Sequence, residues 1–340
     1  MNGHSPDGGR APLARARMSL TAAPAQPLAT PRPRALQALL GRVLPWADAA
    51  LALLLFLVTV QLRRPYKMRL PYAWDSLLFV RAVDHFNATI HQPQPPGYFF
   101  YVSTARLLNL VIGDPHRSLV WISALASGVA VAALYLVTRL LYDRPTGLVA
   151  AGLLMTSVTF WFYGEIAYPY TTLAAGSTVL ALIALGVRRG LLPGVRGAAL
   201  AGLAYALILG FRQDLVLFMA PLFAAAFWGR PLRHWLAAAG AGALGVLAWL
   251  LPTAALSEGL VKYLEATSRQ GGSASGASSV FAGGLEALRF NVREVTTFLW
   301  RGLYFALAPL IYFVLRAPLS LLQWRRAANR RGRAVFPALP

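Results

Sequence analysis

The chain has 340 residues, 57% of them hydrophobic and only 13% charged, with 32 Lys and Arg against 12 Asp and Glu. Soluble domains carry about a quarter charged residues, so this composition excludes a soluble globular class. Repeated apolar runs of about 20 residues exclude a β-barrel in favour of membrane-crossing helices. A net charge of +20 would suit nucleic acid. Here the basic residues gather in tails and short connections, as cytoplasmic loops facing anionic lipid do, and no nucleic-acid partner is expected. There is no cysteine, hence no thiolate nucleophile or cysteine-based metal site.

In chain order, residues 1–43 are rich in Pro, Ala, Gly and Arg and read as a disordered basic tail. The first apolar run, 44–62, has a basic N-terminal flank, which places the N-terminus in the cytoplasm. Asp48 lies near its start, within reach of headgroups. An outer loop, 63–117, follows. Within it, 98–112 is apolar but short and contains Arg106 and Asn109, so it reads as an interfacial helix. A span at this position is the alternative and would invert everything downstream. Further spans are expected at 118–138, 147–163, 168–187, 195–210, 215–229, 235–253 and 296–315. The fold class is therefore an all-α polytopic bundle of about eight spans. Its transmembrane domain is 44–316, with a second outer loop at 254–295 and a basic cytoplasmic tail at 317–340. The centre of that second loop, GGSASGASS, has the composition of a flexible linker.

This alternation puts Arg139, Arg144, Arg188, Arg189, Arg230 and Arg233 on the inner side. Most acidic residues fall on the outer side. Asp75 lies in PYAWDS, just beyond the first span. It reads as a general base or metal ligand close to the bilayer, or as the N-cap of the helix SLLFVRAVDHF. Arg81 and Asp84 share a face of that helix and suit an exposed ion pair. The run HQPQPPGYFFY is too rich in proline for regular helix and must redirect the chain; His91 and Tyr98 lie in it. His85 and His91 show no metal-ligand spacing. Glu165 and Asp214 each end a span, where carboxylates are costly unless functional or paired. Arg212, in FRQD, can clamp a phosphate with two donors. The triplet Asn87-Ala-Thr89 matches a glycosylation acceptor but is common by chance.

A first span, an outer loop with an early acidic residue, and His91-x-x-x-Pro95-Pro96-Gly97-Tyr98 opening a helix together resemble the GT-C membrane glycosyltransferases. That family includes the protein O-mannosyltransferase and aminoarabinose transferase relatives. PQPPGYFFY is similar to the HPPGYPLY-like element of some members, and RLLYDRPTGLVAA to the cytoplasmic connection between early spans. The resemblance covers about 70–220, and the chain is short, as a truncated member would be. It implies a polyprenyl-phosphate-linked sugar as donor, used at the non-cytoplasmic face of a bacterial plasma membrane with both termini cytoplasmic. The acceptor would be a glycan, lipid or protein. It implies catalytic roles for Asp75 and Glu165; beside them, Arg212, Asp214, His91, Tyr98 and Arg81 are expected to bind substrate. Several relatives have an acidic pair where this chain has WDS, which leaves a divalent cation open as a cofactor.

Two other classes compete. A transporter or lipid flippase would place charges near span centres and show paired halves with broken helices. A non-catalytic scaffold left by truncation would scatter its outer acids instead of gathering them.

Overall fold

The structure is a computed structural model that describes residues 34–304 and 311. The chain divides at Pro45 into two units, and the packing below concerns Trp46 onward. Among the described residues there are α-helices, two 3-10 turns and no strand. In order they are α1 (Arg34–Arg63), α2 (Trp74–Asp84), α3 (Phe99–Ile112), α4 (Pro115–Leu141), α5 (Arg144–Thr156), α6 (Val158–Tyr163), α7 (Tyr170–Arg188), α8 (Gly194–Leu209), α9 (Leu215–Phe227), α10 (Leu232–Leu256), α11 (Leu260–Ser278) and α12 (Val280–Leu303).

Among the described residues, four stretches are long and apolar enough to cross a membrane: Trp46–Tyr66, Pro115–Leu141, Tyr170–Arg188 and Leu232–Leu256. The expected spans at 195–210 and 215–229 appear as the shorter apolar helices α8 and α9. The expected span at 147–163 is two helices, broken where Ser157 adopts ψ 125° and its hydroxyl donates to the carbonyl of Gly302 at 2.6 Å. The last expected span, 296–315, begins within α12, and its second half lies almost wholly outside the described residues, as does the C-terminal tail. Two further expectations are corrected. Residues 34–43, read as disordered tail, are the start of α1. The 254–295 stretch, read as a loop around a flexible linker, is the end of α10, then α11 and most of α12. Local composition is a weak prior that tertiary context overrides.

Local chemistry sets the helix ends. Asp114 caps α4 by accepting from the Arg117 amide at 3.0 Å, with Pro115 as the first helical residue. Asp143 caps α5 in the same way through the Thr146 amide at 2.9 Å. Gly113, at φ +69°, ends α3.

The helices run up and down between two ends. One end holds Asp48, Arg139, Arg144, Arg188 and Arg230. There Asp48 accepts from Tyr135 at 2.8 Å and pairs with Arg139 at 3.2 Å and Arg144 at 2.6 Å. It ties α1 to α4 and α5, where the sequence suggested a headgroup contact. The other end gathers α2, the proline-rich turn, and the connections at 164–169, 210–214 and 257–259. A core of Phe79, Phe86, Tyr101, Val102, Leu119 and Ala167 locks α2 and α3 onto α4. Arg106 reaches from α3 to the carbonyls of Val83 and Ala82 at 2.6 and 3.1 Å, so part of the charge in this helix is spent on closing α2.

Helices α8 and α10 form a closely packed pair. Its contact depends on small residues, which let backbones approach. A Cβ at Gly202 would sit 2.0 Å from the Ala238 carbonyl oxygen, whereas one at Gly240 meets nothing within 4 Å. Gly202→Val should therefore destabilise the bundle by about 3 kcal/mol or more through overpacking. Gly240→Ala should be neutral or stabilising by up to about 1 kcal/mol through helix propensity. Thermal unfolding of the two variants in detergent measures the difference.

Candidate active site

The site is built on the turn Gly164–Pro169, between α6 and α7. Three neighbours take up its carbonyls. The Met68 amide donates to Glu165 at 2.9 Å, the Ser76 hydroxyl to Ala167 at 3.1 Å and the Ser123 hydroxyl to Tyr168 at 3.0 Å. Ile166 and Ala167 are fully buried. So fastened, the turn aims the Tyr168 hydroxyl at Asp75, donating to Oδ2 at 3.3 Å. Asp75 is in the first turn of α2. The cap is Ala73, so the N-cap reading of Asp75 does not hold; its carboxylate faces the neighbouring turn instead. A first-turn carboxylate still gains from the helix dipole.

From Tyr168 an aromatic path leads to Arg212. Tyr168 and Tyr170 stack at 5.5 Å with 9° between their planes. The Arg212 guanidinium sits over the Tyr170 ring at 4.7 Å. Its Nε donates to both oxygens of Asp214, at 2.9 and 2.8 Å. Both terminal nitrogens have no protein acceptor among the described residues. Tyr98 joins the group from the proline-rich turn, whose two cis X-Pro bonds precede Gly97 at φ +106° and Tyr98 at φ +48°. A left-handed conformation at a tyrosine is unusual and is held only where its surroundings fix it. Here Phe100 donates its amide to Gly210 at 3.0 Å, and Phe79 packs edge-on against both Tyr98 and Tyr168.

Burial raises the Tyr98 phenol above its ordinary value while Arg212 opposes the rise; Asp214, Tyr170 and Asp75 all act on it. Burial, then the Asp75 carboxylate, raises Tyr168, which remains a donor. Burial works against the Arg212 charge, but Tyr98 and Asp214 outweigh it and raise its pKa. Asp75, Tyr168, Tyr170, Tyr98, Arg212 and Asp214 thus form one group.

The other sequence candidates stand apart. His91 is exposed and closes a short 3-10 turn in a left-handed conformation. Arg81 is exposed on α2 and makes no ion pair with Asp84 among the described residues. Asn87 is engaged, donating to Glu258 at 3.0 Å and accepting from Thr89. Glu165 belongs to a second group with Arg63, which is fully buried, lies over the rings of Phe160 and Trp161 at 5.3 and 5.0 Å, and donates to the carbonyls of Thr59 and Met155. Sequence reasoning did not single out Tyr168, Tyr170 or Arg63. The dense tyrosines of YGEIAYPY were the available signal for the first two.

Residues 94–256, just under half of the chain, match the family described as dolichyl-phosphate-mannose-protein mannosyltransferase. The matched segment is of the GT-C membrane-glycosyltransferase type. It contains Tyr98, Glu165, Tyr168, Tyr170, Arg212 and Asp214; Asp75 lies N-terminal to it. No curated protein and no solved structure matches the chain. With its apolar helices and this matched segment, the chain is an integral membrane protein.

Burial raises the Glu165 carboxyl to about 7 from an ordinary 4.5, against the opposing effects of Trp161 and Arg63. An acid raised in the folded state contributes stability that is fully present below about pH 4.5 and is lost as pH rises through about 7. The melting temperature should fall across that window, and Glu165→Gln should flatten the fall. A wild-type profile that rises from pH 5 to about 7 would contradict the assignment.

Proposed function

We propose that this GT-C membrane glycosyltransferase moves a sugar from a polyprenyl-phosphate donor to an acceptor hydroxyl at the non-cytoplasmic face, with Asp75 as general base and Arg212 on the phosphate. The observation that carries the reading is the shared group: a carboxylate held by a phenol, and an arginine with two free donors, joined through stacked tyrosines. Asp75 takes the proton of the acceptor hydroxyl. The acceptor oxygen forms its bond to the anomeric carbon as the bond from that carbon to the phosphate oxygen breaks. The lipid phosphate leaves with the electron pair from the opposite face, inverting the configuration. The Arg212 terminal nitrogens meet the charge that develops on it, where a preorganised donor is most effective. Asp214 holds the guanidinium from behind through Nε.

An apolar cavity of about 280 Å³ lies between α3, α4, α7 and α8, lined by Ile122, Val129, Ala175, Val179, Ile208 and Phe211. Phe211 directly precedes Arg212. A lipid tail in this cavity would bring its phosphate to the arginine. Among the described residues no group of three or more His, Asp or Glu could hold a metal ion. Asp75 beside a phenol is not a ligand set for a divalent cation, and no step here is routed through one.

The test is a transfer assay in proteoliposomes with a panel of radiolabelled polyprenyl-phosphate sugars. Asp75→Asn should lower turnover about a hundredfold or more, with the melting temperature preserved. Arg212→Gln should weaken donor use. Full activity in Asp75→Asn ends the assignment of the base.

A further inference from the structure

A second cationic feature lies at the Asp75 end, away from Arg212. The 3-10 turn Arg64–Tyr66, the residues 67–69 that follow it and the start of α4 enclose a cleft of about 430 Å³. Arg64, Lys67, Arg69 and Arg117 line it, with Trp121 and one carboxylate, Asp114. That carboxylate already accepts the Arg117 amide as the α4 cap. None of the four cations makes an ion pair among the described residues. Lys67 is set against Trp121, its Nζ 3.2 Å from the ring centroid. Burial, then Arg117 and Arg64, lowers the Lys67 pKa. The walls are fastened, because His116 Nε2 lies 3.2 Å from the Met68 carbonyl oxygen. Four cations facing one occupied carboxylate leave a positive charge that the protein itself does not balance.

The position identifies what can balance it. The cleft lies where the spans Trp46–Tyr66 and Pro115–Leu141 reach the membrane surface, the level of lipid phosphates. It is an indentation between two spans and not a flat basic surface, so one headgroup can sit among the four side chains with its tails along the spans.

We infer that this cleft is a binding site for a phosphate group, supplied by the headgroup of an anionic phospholipid that bridges the first span and α4. The site is separate from the donor phosphate at Arg212, and the inference stands whether or not Asp75 is the catalytic base.

The test uses the full chain in detergent, titrated with short-chain phosphatidylglycerol, short-chain phosphatidylcholine and inorganic phosphate, with tryptophan fluorescence and thermal shift as readouts. Phosphatidylglycerol should bind tightest. Lys67→Gln with Arg117→Gln should weaken it about thirtyfold, since each basic side chain at a membrane surface contributes roughly fivefold. Arg64→Gln with Arg69→Gln, both at exposed positions, should act in the same direction and serves if the first pair unfolds. Arg189→Gln with Arg233→Gln removes equal charge at the opposite end and should change nothing. Asp75→Asn should bind phosphatidylglycerol like the wild type, whatever its transfer activity. Unchanged binding in both cleft pairs, or an equal loss in the Arg189 and Arg233 pair, overturns the site. Inorganic phosphate binding as tightly as the lipid overturns the lipid as its source.

Discussion

A turn buried among packed helices cannot leave its peptide groups unpaired, because burial takes water away as their partner. The Gly164–Pro169 connection meets that constraint with partners from the neighbouring polar segment and α4. Met68, Ser76 and Ser123 take up three of its carbonyls. The same bonds locate α2 against α4 and bring Asp75 to Tyr168. Satisfying a backbone and building a site are here one arrangement. It fixes the Asp75 carboxylate beside a turn held by rigid helices.

The two ends of the bundle manage charge differently. At one end Asp48 is enclosed by Tyr135, Arg139 and Arg144, which closes α1 onto α4 and α5. Its side chain is only 16% exposed, and removing one partner from so enclosed a group leaves a charge poorly compensated. At the other end the pair Arg212–Asp214 joins neighbours two residues apart. It closes no helices together, so it has little structural work to do. That difference suits the first to architecture and leaves the second available to the proposed site.

The long apolar runs made α4, α7 and α10 legible, because a span needs little besides length and hydropathy. Asp75, Tyr98, Arg212 and Asp214 were legible as candidates from their places at span ends. Their convergence was not, since it depends on a stacked pair of tyrosines and on carbonyl acceptors that no local pattern announces. The break at Ser157 was hidden for a similar reason: its hydroxyl finds Gly302, far along the chain. The helix over most of GGSASGASS was missed because its Gly and Ser content was read as a linker signal. Asp48 was read from its depth alone, and its partners come from α4 and α5.

Two arginines near the Asp75 end show why burial alone does not identify a substrate ligand. Arg63 is the more buried, yet its terminal nitrogens are occupied: two carbonyls accept from them and two aromatic rings cover the guanidinium. A Cβ at Gly164 would lie 2.4 Å from its Nε, so the turn is shaped around the side chain. Glu165 lies in its field as an internal counterpart. Arg212 has the reverse arrangement. Only Nε is committed, to Asp214, and one face of the guanidinium rests on Tyr170. The terminal donors that would clamp a planar or tetrahedral oxyanion remain uncommitted. An arginine whose terminal nitrogens are engaged by the fold holds the fold; one restrained through Nε alone keeps its terminal nitrogens available.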